Sequence, residues 1–319
     1  MPRRRRREGL ATERANPASR ALDRMTPLQI ARLMHREDVR AVHAVGRALP
    51  AVARAVEAIV AALSRGGRLF FVGAGTSGRL GVLEAAECPP TFGTPPGLVQ
   101  AVMAGGRASV FRAREGAEDD AHAARRIVRA RVRPADALVG VSASAVTPFV
   151  LGALETARRA GAVTVLVTCN PLAARAWRPA RTARRATPGR RDTIVVALEP
   201  GPEVVAGSTR LKAGTATKLV LNALTTASMA RLGRVWGNRM IDVQPRSRKL
   251  RERALALVSE LGGVERRRAA RALGAAGDSV RLAVVLARTG WPPARARRAL
   301  REAGGSLRPF LGNPRGDRP

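Results

Sequence analysis

Apolar residues recur every three or four positions between Thr26 and Arg65: Leu28, Ile30, Leu33 and Met34, then Val42, Val45, Leu49, Val52, Val56, Ile59, Val60 and Leu63. That period predicts two or three amphipathic helices, each burying one face against a sheet or a second subunit. From Arg68 the pattern changes. Short apolar runs near residues 68–73, 98–103, 137–142, 162–168 and 193–198 read as buried strands,. Helical stretches fall at 77–87, about 118–131, 147–159 and about 210–232. The alternation predicts an α/β domain: a parallel sheet with helices on both faces, three layers in all. Ligands of such open sheets bind beyond the carboxyl ends of the strands. After Lys249 the chain reads as small helices broken at Gly262, Gly263, Gly277 and Pro292, a compact helical appendage,.

The resulting partition is a basic, disordered amino terminus (1–20), amino-terminal helices (21–66), the α/β domain (67–245), a small helical subdomain (246–310) and a loose tail (311–319). Between Cys169 and Gly201 the link is too long for an ordinary connection. Within residues 170–191 it carries Arg175, Arg178, Arg181, Arg184, Arg185, Arg190 and Arg191, with no acidic residue before Asp192. It reads as a disordered insertion leaving the carboxyl end of a strand.

The strand at Arg68–Val72 runs into GAGTSG and a helix. Glycines there allow close backbone approach, Thr76 and Ser77 offer hydroxyls, and the first free N–H groups of the helix point at an anion, so Gly75, Thr76 and Ser77 form a candidate phosphate seat. Taken alone, G-x-G after a strand also suits dinucleotide binding or a tight turn.

The continuation is more specific. RLGVLEAAECPPTFG (79–93) resembles the signature of the N-acetylmuramic acid 6-phosphate etherases, members of the sugar isomerase (SIS) domain superfamily. The amino-terminal pattern of Thr12, Glu13, Asn16, Ser19, Leu22, Asp23, Glu37 and Asp38 is similar too. AGG (104–106), EGAEDD (115–120), CNP (169–171), GPEVVAGSTRLKAGTATKLVLN (201–222) and GNRMIDV (237–243) follow in family order. The resemblance implies a parallel-sheet SIS domain with a small carboxyl-terminal helical subdomain. It also implies a homodimer, no metal or organic cofactor, and a lyase that removes lactate from a phosphorylated amino sugar in cell-wall recycling. A catalytically silent sugar-phosphate sensor of the glucokinase regulatory protein type is the alternative.

Elimination of an ether needs one group to take a proton and another to protonate the departing oxygen, so two carboxyl groups in different protonation states suffice. Glu87 stands just before Cys88, Pro89 and Pro90, which are expected to stop its helix. Helix-end negative charge and an apolar surround there would favour the neutral acid. Glu118 is expected in the first turn of the next helix, whose positive end favours the ionised base. The resemblance independently implies that both are catalytic, with Glu87 the proton donor. Glu84 and Glu115 are the neighbouring competitors, read as solvated or capping residues. A second phosphate loop is expected at Val141–Thr147, where Ser142, Ser144 and Thr147 match the hydroxyl pattern of SIS domains. Where the etherases have S-G-R-T, this chain has Ser144, Ala145, Val146 and Thr147. Lys212 stands out in an arginine-rich chain and reads as an anion contact or an ordinary helix lysine; Glu203 could orient a sugar hydroxyl or cap backbone amides.

Composition changes little of this. Of 57 basic residues all but Lys212, Lys218 and Lys249 are arginine, and the net charge of +33 is spread over every segment. Such a surface gives weak nonspecific attraction to polyanions. With 3% aromatic residues and no tyrosine, it offers no stacking platform for single strands, so no specific nucleic-acid partner is expected. Cys88 and Cys169 lie far apart and read as a reduced pair. His35, His43 and His122 show no ligand spacing and are expected on helix surfaces, so no metal site is expected. The basic start lacks an apolar h-region, and the charge-free stretch 137–154 is interrupted by Ser142, Ser144, Thr147 and Pro148. No membrane association and a cytoplasmic location are therefore expected.

Overall fold

A computed structural model describes residues 13–172, 192–245 and 247–312. The chain groups into two compact units: one holds the residues up to Ala86 and Pro96–Ser228, the other Glu87–Pro95 and everything from Met229.

The first unit opens with two 3₁₀ turns, Pro17–Ser19 and Leu22–Arg24. Asn16 caps the first, its Oδ1 accepting from the Ala18 N–H at 3.0 Å. Residues 13–20 are therefore structured, unlike the disordered start expected from composition: the buried Asn16 anchors them. Residues 1–12, the arginine-rich stretch 173–191 and the tail 313–319 lie outside the described residues.

Helix α1 (Pro27–Ser64) is one 38-residue helix where two or three were expected. Thr26 and Gln29 start it with a reciprocal capping box,. Pro50 lies inside it without ending it. A helix-interior proline removes one N–H and displaces the carbonyl four residues earlier, here that of Gly46. The buried stripe runs on unbroken through Ala44, Ala48, Val52, Ala55 and Ile59, so packing on β3, β4 and β5 outweighs the lost bond.

The remaining elements are β1 (Leu69–Gly73), α2 (Gly75–Phe92), β2 (Val99–Met103), α3 (Ala108–Phe111), a 3₁₀ turn (Ala117–Asp119), α4 (Ala121–Arg131) and β3 (Ala137–Val141). Then come α5 (Pro148–Arg159), β4 (Val163–Thr168), β5 (Ile194–Ala197) and α6 (Lys212–Arg231). All five strands are parallel in the order β2-β1-β3-β4-β5. Side chains alternate between faces. Phe70, Val72, Leu138 and Leu166 form one core with Phe149, Val150 and Leu154 of α5 and Ala124 and Val128 of α4. Phe71 faces the other way, toward α2: a Cβ on Gly81 would stand 2.7 Å from that of Phe71.

The second unit carries α7 (Arg248–Gly262), α8 (Arg266–Ala275), α9 (Val280–Thr289), α10 (Pro293–Glu302) and α11 (Arg308–Leu311). Helix α9 is its centre, with Leu282 to Leu286 buried and Ala287 beside them. Gly263 and Gly290 end helices α7 and α9 in left-handed conformation, at φ 65° and 70°, as glycine permits,. Arg281 ties this unit together, donating to Asp242 from Nε at 2.8 Å and to the Gly233 carbonyl at 2.9 Å. Among the described residues, no helix is long and apolar enough to cross a membrane.

Candidate active site

In this strand order the chain leaves β1 toward β2 on one side and returns to β3 on the other. The crevice at the carboxyl ends of β1 and β3 is thus the point where the winding reverses. Register makes the two ends level, Gly73 pairing with Val141. Two loops emerge side by side there.

After β1, helix α2 begins at Gly75, two residues earlier than expected. The first intrahelical bond is from the Gly78 N–H to the Ala74 carbonyl, at 3.2 Å. The amides of Gly75, Thr76 and Ser77 therefore have no acceptor within the helix. Gly73 and Gly78 permit the sharp entry: a Cβ on Gly73 would lie 2.6 Å from the Gly78 nitrogen. After β3, the hydroxyls of Ser142 and Thr147 share a hydrogen bond of 2.9 Å, and Ser144 Oγ accepts from the Val146 N–H at 3.3 Å. Thr147 begins α5, and Pro148 fills its first turn. The segment at the end of β4 pins this loop. Thr168 Oγ1 donates to the Ala143 carbonyl at 3.1 Å, and Asn170 Nδ2 to the Ser144 carbonyl at 3.0 Å. Two helix starts and a cluster of hydroxyls at one switch point can hold a phosphate dianion.

Glu118 lies in the 3₁₀ turn Ala117–Asp119 rather than in the first turn of a helix. Asp120 caps α4 instead, accepting from the Ala123 N–H at 2.8 Å. The turn follows Gly116 at φ 75° and packs on α5, with Ala117 against the Phe149–Val150 core. Glu118 itself is exposed. Glu87, grouped with the second unit, is also exposed, not set in the apolar surround expected from sequence. Nor do Pro89 and Pro90 stop its helix, which runs on to Phe92. Cys88 and Phe92 are buried, and the Gly93 turn, at φ 60°, lies so close to Asp242 that a Cβ there would meet its carbonyl oxygen at 2.5 Å. This packing holds the last turn despite two missing amide donors. Glu115 is exposed. Glu84, expected to be solvated or capping, is buried and bonds to the side chains of Asn222 and Thr225, the latter at 2.7 Å.

Relatives cover nearly the whole chain. The N-acetylmuramic acid 6-phosphate etherase of Rubrobacter xylanophilus is 49% identical over 311 residues, 96% of this chain and 97% of its own. That of Synechococcus elongatus is 46% identical over 306 residues, 94% of each chain. The chain belongs to the N-acetylmuramic acid 6-phosphate etherase family. A third etherase, from Cutibacterium acnes, is 47% identical over 298 residues, 93% of this chain and 94% of its own. The glucokinase regulatory protein N-terminal SIS domain matches residues 51–158, which span β1 to β3 and both loops. The fold is the three-layer SIS domain.

Ala145 stands where the sequence resemblance implies a glycine. It adopts φ 57°, one of two positive-φ residues other than glycine among the described residues, and is 3% exposed. The loop thus takes a left-handed turn here, which glycine would adopt without strain,. Glu203, for which the sequence left two roles, caps α6: its Oε2 accepts from the Lys212 N–H at 3.1 Å and its Oε1 from Ala213 at 2.9 Å. Burial pushes the Glu203 carboxyl above the ordinary glutamate range, against the pull of those amides and of Lys212,. Lys212 is buried and meets an anion of the protein itself, pairing with Glu37. Burial pushes the Cys169 thiol up to about 12, so it rests as a protonated core group,. His35, His43 and His122 sit exposed on helices as expected.

Sequence reasoning missed the roles of Glu37 and Arg79. Glu37 stands in the buried stripe Leu33–Glu37–Ala41 of α1, and an acid at an apolar-face position was the available signal. Arg79 reaches from α2 to the carbonyls of Val110 and Ser109, at 2.8 and 3.0 Å, and holds α3 in place. Nothing in the local pattern marked it.

Proposed function

We propose that the protein is an N-acetylmuramic acid 6-phosphate etherase, a carbon–oxygen lyase that yields N-acetylglucosamine 6-phosphate and D-lactate. The observation that carries this reading is the pair of hydroxyl-lined loops rising from the level ends of β1 and β3, in a chain belonging to that family. Gly75, Thr76 and Ser77 on one loop, and Ser142, Ser144 and Thr147 on the other, hold the sugar's phosphate.

In the ring-opened sugar the aldehyde acidifies the proton on carbon 2. The Glu118 carboxylate takes that proton, the bond from carbon 3 to the ether oxygen breaks, and the Glu87 carboxyl group protonates the departing lactate oxygen. Water then adds to carbon 3 while a proton returns to carbon 2, with the two carboxyl groups exchanging roles. Atoms balance, no electron is transferred to an acceptor, and no cofactor is required.

The working unit is a homodimer. Supporting this, Leu28, Val42 and Leu49 are between 51% and 59% exposed on α1, with Val39 beside them at 42%,. The reaction belongs in the cytoplasm, where a phosphorylated sugar is retained, and serves cell-wall recycling. A sugar-phosphate sensor is disfavoured because Glu87 and Glu118 are both present and exposed. Incubation with N-acetylmuramic acid 6-phosphate in H₂¹⁸O tests the activity. Lactate should be released without label and the sugar product should carry ¹⁸O at carbon 3; binding without lactate release would overturn the assignment in favour of the sensor.

A further inference from the structure

Lys212 is 1% exposed, in the first turn of α6, and its ammonium pairs with Glu37 of α1, itself 2% exposed. Glu37 Oε2 also accepts from Asn16 Nδ2 at 2.9 Å, and its Oε1 faces Arg40 at 3.0 Å. Asn16, 4% exposed, donates to the Pro202 carbonyl at 3.1 Å as well. Three segments far apart in sequence meet at this one ion pair: the amino-terminal turn, the middle of α1, and the stretch from Pro202 into α6.

Next to the pair is the first phosphate loop. Gly214 follows Lys212 by two residues, and a Cβ built on it would stand 3.7 Å from Cγ2 of Thr76. The first turn of α6 therefore passes about one methyl's breadth from a proposed phosphate contact. Thr215 extends the link to α1, its hydroxyl donating to Asp38 at 3.4 Å. The ammonium is enclosed by protein carboxylates, Glu37 by contact and Glu203 through its field. A compact ammonium suits such a buried contact, at one of only three lysines in an arginine-rich chain,.

We propose that Lys212 is a positioning residue for the sugar-phosphate seat: its buried pair with Glu37 fixes the first turn of α6 beside Thr76 and so limits the space the first loop can take, without touching the ligand. The proposal rests on the reading of that loop as a phosphate seat. Removing Lys212 leaves Glu37 only Asn16 and the exposed Arg40, and removing Glu37 takes the contacting carboxylate from a buried ammonium, whereas replacing both with neutral groups removes both buried charges,.

Lys212→Met, Glu37→Gln and the double variant, each as the full chain, should be titrated calorimetrically with N-acetylglucosamine 6-phosphate below their melting midpoints. Each single variant is expected to weaken binding about tenfold or more, roughly 1.4 kcal/mol, and to raise KM more than it lowers kcat. The double variant should recover part of the affinity and stay folded even where a single variant does not. Single variants that bind like wild type would overturn the proposal. So would a loss in Lys212→Met that the double variant retains in full, since that marks direct contact between the ammonium and the phosphate. Failure of the seat itself reads differently: wild type would then bind N-acetylglucosamine 6-phosphate no better than N-acetylglucosamine.

Discussion

The strands that carry the two loops are aligned at their opposite ends by a single carboxylate, so Asp136→Ala should loosen the site's foundation without touching the site. Asp136 is 1% exposed and accepts four hydrogen bonds. Its Oδ1 takes the Arg68 backbone N–H at 2.8 Å and Arg68 Nε at 3.3 Å. Its Oδ2 takes Arg68 Nη2 and the Arg133 N–H, both at 2.8 Å. Arg68 also lies over the Phe70 ring, 5.0 Å from its centroid. Alanine would orphan two backbone donors at about 1–3 kcal/mol each. The guanidinium, 28% exposed, is partly hydrated and adds less,. The sum is about 3–5 kcal/mol, the range for breaking a buried pair. Urea unfolding at constant m-value should show that loss at pH 7.

Its pH dependence follows from the same contacts. Burial would raise the Asp136 pKa, but the bonds from Arg68 and Arg133 outweigh it and hold the group below the ordinary aspartate range. A depressed folded-state pKa gives stability that is present above the unfolded value, near 3.9, and is lost as pH falls through the folded value. The gap between wild type and Asp136→Ala should therefore stay level from about pH 7 to 5 and narrow below about pH 4. A variant within about 1 kcal/mol of wild type at pH 7, or a gap that persists in acid, would refute this account of the strand anchor.

Ala145→Gly should be close to neutral in a thermal melt: relief of left-handed strain, about 1–2 kcal/mol, is offset by glycine's unfolded-state entropy and the loss of a buried methyl. Ala145→Val, branched at the same φ of 57°, should cost about 2 kcal/mol or more,. Glu203→Ala should destabilise by about 2–4 kcal/mol in urea by stranding two α6 amides, and Glu203→Gln by about half of that or more, because its one amide oxygen caps one of them while its NH₂ faces the other,. Val42→Glu with Leu49→Glu should shift sedimentation from dimer to monomer, since it places charge on the exposed face of α1; an unchanged dimer would place the interface elsewhere.

The strands were legible because each is a short apolar run closed by glycine or a polar turn, as at Leu69–Gly73 and Ala137–Val141. The carboxyl-terminal helices were equally readable, with Gly263, Gly277 and Pro292 marking their limits. Pro89 and Pro90 misled: they read locally as a stop, yet tertiary packing of Cys88 and Phe92 carries the helix on to Phe92, and packing of Val52 and Ile59 likewise keeps α1 in one piece through Pro50. The two loops beyond β1 and β3 could be located because hydroxyls and glycines cluster in sequence. The Lys212–Glu37 pair could not, since its partners are 175 residues apart and only the fold brings them together.

Proton exchange at carbon 2 tests the assignment of the two glutamates most directly. N-acetylmuramic acid 6-phosphate incubated in D₂O with Glu87→Gln should gain deuterium at carbon 2 while lactate release falls by orders of magnitude, because the base survives and the acid does not. With Glu118→Gln both signals should disappear. Deuterium entering at the wild-type rate in Glu118→Gln, or lactate leaving at the wild-type rate in Glu87→Gln, would contradict the division of labour between them.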